Sequence, residues 1–201
     1  MRTKTIYCFI LKIFLILTLL PGFTWAFSSV SRDFNELVTL ADTIIIGTVV
    51  KQQSHWDDPV AQDFIHTAIT LDNIEMLKGD IETSTYTLII VGGAIPPFVI
   101  SIPGAPSFVT NKRYVLFIKD NNKVIFPLVG VHDGVFIIEA SKNGKSIVKN
   151  NEGVVITEIR QNKVVTQTET NKSLITAQSL SLDGFKQEIM HHLGHSGEKN
   201  E

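Results

Sequence analysis

Phe64-Ile65-His66-Thr67-Ala68-Ile69-Thr70-Leu71 alternates, with Ile65, Thr67, Ile69 and Leu71 on one face and Phe64, His66, Ala68 and Thr70 on the other. Period two over this length, rich in β-branched residues, predicts a strand with one buried face. The pattern runs on to Ile74 and Leu77, with a bend expected at Asp72-Asn73, and Lys78-Gly79-Asp80 ends it.

Working outward, Thr43 to Val50 is mostly β-branched and predicts a buried strand, in which Gly47 marks a bulge or a close backbone contact. Gln52 to Gln62, polar and carrying Pro59, reads as a loop. Tyr86 to Val91 is the next strand, ended by the turn Gly92-Gly93, which lacks the pattern of a phosphate cradle. Between Ala94 and Phe108 the prolines 96, 97, 103 and 106 exclude a central strand and predict a semi-rigid loop around an edge segment at Phe98 to Ile102. Arg113 to Lys119 and Lys123 to Val129 read as a hairpin across Asp120-Asn121-Asn122, followed by a strand at Val135 to Glu139. Weaker apolar segments at Ser146 to Lys149, Val154 to Ile159 and Lys163 to Thr168 predict a peripheral ribbon.

Two helices frame the strands. Phe34, Leu37, Val38 and Ala41 keep helical spacing behind Ser31 or Asp33 as N-cap, and Leu182, Phe185, Ile189 and Leu193 do so behind Ser181. The expected class is mainly β: a small antiparallel barrel of oligonucleotide/oligosaccharide-binding (OB) type with a short N-terminal and a C-terminal helix, a β-sandwich being the alternative. The expected organisation is a leader at 1–26, the barrel at 27–139, the ribbon at 140–172, and the C-terminal helix with a disordered tail at 173–201.

The leader reading rests on Arg2, Lys4 and Lys12, the apolar run Ile13 to Leu20, the break at Pro21-Gly22 and the small-x-small site Thr24-Trp25-Ala26. These are the parts of a secretory signal peptide, and the apolar run is shorter than the roughly 20 residues of a spanning helix. The exported chain, periplasmic or extracellular, would contain no cysteine, because Cys8 lies in the leader. The leader carries basic residues and no acidic ones, so the remainder is more acidic than the −2 of the whole chain. With no basic stripe, that balance speaks against a nucleic-acid partner. No membrane partner is expected after cleavage.

Four segments carry a resemblance: Ala41 to Val49; Met76-Leu77-Lys78-Gly79-Asp80; Ile102 to Phe108 leading into Tyr114-Val115-Leu116-Phe117; and Gly134-Val135-Phe136. Over roughly Asp33 to Glu139 they resemble a poorly characterised group of secreted bacterial proteins whose OB-like domain is similar in plan to the netrin-like domain of tissue inhibitors of metalloproteinases. The resemblance implies a fold. Those inhibitors place an N-terminal cysteine on the protease zinc; here the exported chain would begin at Phe27, so no inhibitory residue carries over.

The candidate ligand contacts are Trp56, flanked by His55, Asp57 and Asp58, together with Phe98 and Phe108 on the proline-rich loop. A tryptophan among polar residues serves recognition by stacking and indole hydrogen bonding, and a stiffened loop docks at low entropy cost. His132-Asp133 is a second His-Asp pair that a barrel mouth could bring to His55 and His66. His191 and His195 share a helix face with Glu188, but the zinc-protease pattern needs a glutamate where His192 stands, so no metal or catalytic residue is assigned. The function expected is a secreted, non-enzymatic protein-binding module without a cofactor, its partner an exported or surface protein such as a protease. The alternatives are a small-ligand or metal-binding carrier, or an enzyme of unrecognised class.

Overall fold

Asp33 caps the first helix, its carboxylate accepting the Glu36 N–H at 2.7 Å, and α1 (Phe34–Leu40) buries Phe34, Leu37 and Val38. The computed structural model describes residues 32–80, 83–141, 144–167 and 179–197. The expected leader, nearly all of the polar stretch from Glu169 to Ser179 and the tail beyond Gly197 lie outside the described residues.

Ten strands follow α1: β1 (Thr43–Trp56), β2 (Ile65–Lys78), β3 (Tyr86–Val91), β4 (Gly93–Ile95), β5 (Phe98–Ile100), β6 (Arg113–Ile118), β7 (Val135–Ala140), β8 (Ser146–Asn150), β9 (Ile156–Arg160) and β10 (Lys163–Thr166). α2 (Leu182–Gly197) closes the described chain, with Ser181 Oγ accepting the Gly184 N–H at 3.1 Å as its cap. Six strands form one antiparallel sheet in the order β3-β2-β1-β6-β7-β8, while β4-β5 and β9-β10 are separate two-stranded ribbons. The mainly β, antiparallel class with an early and a late helix is therefore what the chain adopts. Among the described residues no ladder joins β3 to β8, so strand pairing leaves the sheet open. No described helix is long and apolar enough to cross a membrane.

Three elements differ from the sequence reading. Gln52 to Trp56 is strand instead of loop, because Gln52 pairs with Ile69 and the ladder continues to Trp56 and Ile65. Lys123 to Val129 is not a strand: β6 already pairs with β1 and β7, which leaves room only for a single bridge between Ile118 and Leu128. β8 pairs with β7 in the main sheet, so the ribbon expected from residue 140 reduces to β9-β10.

The sheet buries both faces. One packs Ile44, Ile46, Val115, Phe117, Phe136, Ile138 and Val148 against α1 and α2 through Phe34, Leu37, Phe185 and Ile189. The other gathers Ile45, Val49, Ile69, Leu71, Leu88, Tyr114, Leu116 and Val135, nearly all from the sheet itself, so the sheet curls to cover its own inner face. Bulges in the β1-β2 ladder allow that curl: Asn73 and Ile74 of β2 stand opposite the single β1 residue between Ile46 and Thr48, and Val50 is the extra residue of β1 between Val49 and Lys51. Gly47 stands at the first of these, and a Cβ there would lie 2.7 Å from Ile74 Cδ1. Of the two expectations for Gly47 the close contact holds: the bulge lies on β2, and it sets the Ile74 side chain against the glycine.

Candidate functional site

β1 and β2 extend together beyond β6 as a ribbon that β3 flanks on the β2 side, and its far end carries the side chains of interest. Successive residues of a strand face opposite ways. Trp56, Ser54 and Thr67 therefore share one face, while His55 and His66, directly paired, take the other. The cluster expected at His55, Trp56 and Asp57 is split between the two faces.

On the Trp56 face a chain of hydrogen bonds fastens the β4-β5 hairpin to the ribbon. The Gly92 carbonyl can only accept, so Thr67 Oγ1 donates to it at 2.6 Å; Ser54 Oγ, 3.0 Å from Thr67 Oγ1, donates to that oxygen and accepts the Ala94 N–H at 3.3 Å. Each hydroxyl is polarised by its neighbour, which strengthens a chain of this kind. The hairpin so held brings Phe98 against Trp56, ring centroids 5.5 Å apart at 71°, an edge-on contact. Phe98 remains 54% exposed and Val99 72%.

Phe108 does something else. It is only 8% exposed and packs edge-on against Tyr114 at 5.2 Å, so it belongs to the core and not to an exposed loop. Gln52 Nε2 donates to the Phe108 carbonyl at 3.1 Å, and Tyr114 Oη accepts the Val109 N–H at 2.9 Å. Burial pushes the Tyr114 phenol above its ordinary value. Upstream, Pro103-Gly104 forms a turn closed by Ala105 N–H to the Ile102 carbonyl at 3.1 Å, with Gly104 at φ +79°, the geometry that requires glycine.

The connection from Asp57 to Phe64 ends the ribbon, closed by Asp57 N–H to the Phe64 carbonyl at 2.8 Å. It exposes Val60 (93%) and Phe64 (57%) and carries the exposed carboxylates Asp57, Asp58 and Asp63. Asp58 Oδ1 accepts N–H groups from Val60 at 2.6 Å and Ala61 at 3.1 Å, and these bonds hold its carboxyl below the ordinary value of 3.8. A folded-state pKa below the unfolded one favours the folded loop above pH 3.8, and that contribution fades as pH falls through the lowered value. Amide shifts of Val60 and Ala61 followed by NMR should therefore titrate below pH 3.8, with the loop loosening on the acid side. Midpoints at or above that pH would contradict the assignment.

On the opposite face His55 and His66 lie 6.2 Å apart, and His66 Nδ1, fully buried, is 3.5 Å from Asp57 Oδ1 without a hydrogen bond. They line a concavity of about 500 Å³ with Val124 and Ile125. His132 does not join them: it lines a separate concavity with Asp133, whose Oδ2 accepts the Arg32 N–H at 3.0 Å and so ties the start of α1 to the turn before β7. Among the described residues the set of metal-type side chains that converges is Glu188, His191 and His192 on α2, which the spacing of His191 and His195 did not single out. The His195 side chain lies outside the described residues.

Comparison with family models, with curated proteins and with solved structures finds no match to this chain.

Proposed function

We propose that this is an exported, non-enzymatic protein-binding module of netrin-like, OB-like plan, and that it docks through the end of the β1-β2 ribbon. The observation that carries the reading is the Trp56–Phe98 contact: two aromatic rings from separate elements, held by a hydrogen-bonded hairpin, beside Val99, which stands 72% exposed. Aromatic anchors that are rigid before binding lose little entropy on docking and dominate interface energetics. Asp57, Asp58 and Asp63 rim the same end, which favours a partner with Lys or Arg around an apolar pocket and disfavours an anionic lipid surface. An exported or surface protein fits that description, a protease among the possibilities.

The test is capture from the organism's exported fraction by the native protein and by a Trp56→Ala, Phe98→Ala double variant. Hot-spot truncations cost about 2–4 kcal/mol each, so the variant, its fold verified by circular dichroism, should lose the partner by at least about a hundredfold. Equal capture by the folded variant would remove the face from consideration.

A further inference from the structure

Among the described residues His66 Nδ1 is the buried side-chain nitrogen or oxygen that has no hydrogen bond. Leaving a buried polar atom unpaired is costly, so its surroundings should hold the group that answers it. The nearest acidic atom is Asp57 Oδ1 at 3.5 Å, on a side chain that is 65% exposed and can swing aside to admit an ion.

The β1-β2 ladder supplies a second imidazole. His55 stands directly opposite His66, and side chains of such a pair leave the sheet on one face with Cβ atoms about 4.5–5.5 Å apart. Their ring centroids are 6.2 Å apart and the rings are tilted by 31°. Asp57, two residues beyond His55, lies at the same end, and all three line the concavity of about 500 Å³.

Ligand atoms of one tetrahedral zinc, at bonds of about 2.0–2.2 Å, stand about 3.3–3.6 Å apart. The separation of His66 Nδ1 from Asp57 Oδ1 is such an edge. The same bond lengths hold the centroids of two zinc-bound imidazoles about 5–6 Å apart, so His55, which is exposed, can complete the set by turning its ring. Lys123 on the same concavity is also exposed and can keep its ammonium in solvent. Glu188, His191 and His192 on α2 lie within 4.8 Å of one another, but both ring nitrogens of His192 are engaged, with the Glu188 carbonyl at 2.8 Å and Asn162 Oδ1 at 3.0 Å.

We propose that His55, His66 and Asp57 bind a single zinc ion across the end of the β1-β2 ribbon. Two imidazoles and a carboxylate select a borderline metal over magnesium or calcium, which prefer all-oxygen sets. Three protein ligands leave a fourth position toward the concavity, the arrangement of sites that accept a water or a further ligand. The ion would tie β1, β2 and their connection together on the face away from Trp56, and it needs no docking partner.

The experiment is calorimetric titration of chelator-treated full chain with zinc chloride, then with magnesium chloride, alongside thermal melting. Zinc should bind with a dissociation constant of micromolar or below and raise the melting temperature, whereas magnesium should do neither. His55→Ala and Asp57→Asn, both at exposed positions, should keep the native circular dichroism and bind zinc at least about tenfold more weakly. His191→Ala should bind as the native chain does. Absence of zinc binding by the native chain, undiminished binding by either ribbon variant, or equal weakening by His191→Ala would overturn the proposal.

Discussion

Gly93→Ala is expected to destabilise the protein by about 2–4 kcal/mol and to separate Phe98 from Trp56. Gly93 sits at φ +137°, a conformation that side chains of L-residues rarely adopt, and a Cβ there would overlap Thr67 Oγ1 and Ser54 Oγ. Those two oxygens are the middle of the hydrogen-bond chain from Ala94 to Gly92, so the β4-β5 hairpin must shift and the chain must break. In a chain that starts at Phe27, Trp56 is the sole tryptophan, and its fluorescence should move toward the solvent-exposed signature. Gly104→Ala is the comparison: φ is +79°, but nothing lies within 4 Å of the added carbon, so the cost should stay near 1 kcal/mol and the fluorescence should not change. Equal effects of the two substitutions would show that the hairpin is not fastened where Gly93 passes the ribbon.

Phe185→Ala should lower stability by about 3–5 kcal/mol and release α2. The ring is fully buried and joins a cluster that links α1, the sheet and α2, with centroids 5.4 Å from Phe34 and 4.9 Å from Phe136, and Phe117 completing it at 6.0 Å from Phe34. Deleting it opens a cavity at the junction of three elements, where no single one can move to fill it. Urea unfolding should show a lower midpoint at an unchanged slope. A loss under about 1 kcal/mol would mean that α2 contributes little to the core.

The local devices of this fold were legible because they depend on few residues. Ile65 to Leu71 alternates and is strand β2; Asp33 and Ser181 cap their helices; Asn73 takes φ +53° where Asp72-Asn73 predicted a bend. What escaped was decided at a distance. Gln52 to Trp56 reads as loop by composition and is strand because β2 lies alongside it. Lys123 to Val129 reads as strand and is not, because β1 and β7 hold both edges of β6.

The candidate site divides the same way. Trp56 and Phe98 could each be named from residue type, but their meeting depends on the short hairpin that Gly93-Ala94-Ile95 makes with Phe98-Val99-Ile100, hidden beside Pro96-Pro97. His55 adjoins Trp56 in the sequence, and strand alternation separates them. Phe108 shares its proline-rich context with Phe98, whereas the Pro103-Gly104 turn and Tyr114 bring it inward.

The most direct test of the binding face is photo-crosslinking from single positions in the organism's exported fraction. A photoreactive residue would be placed at Phe98, at Val99 and, as a reference on α2, at Met190, which is similarly exposed at 56%. The same partner should be linked from positions 98 and 99 and not from 190. Linkage from 190 with none from 98 and 99 would contradict a docking face at the end of the β1-β2 ribbon.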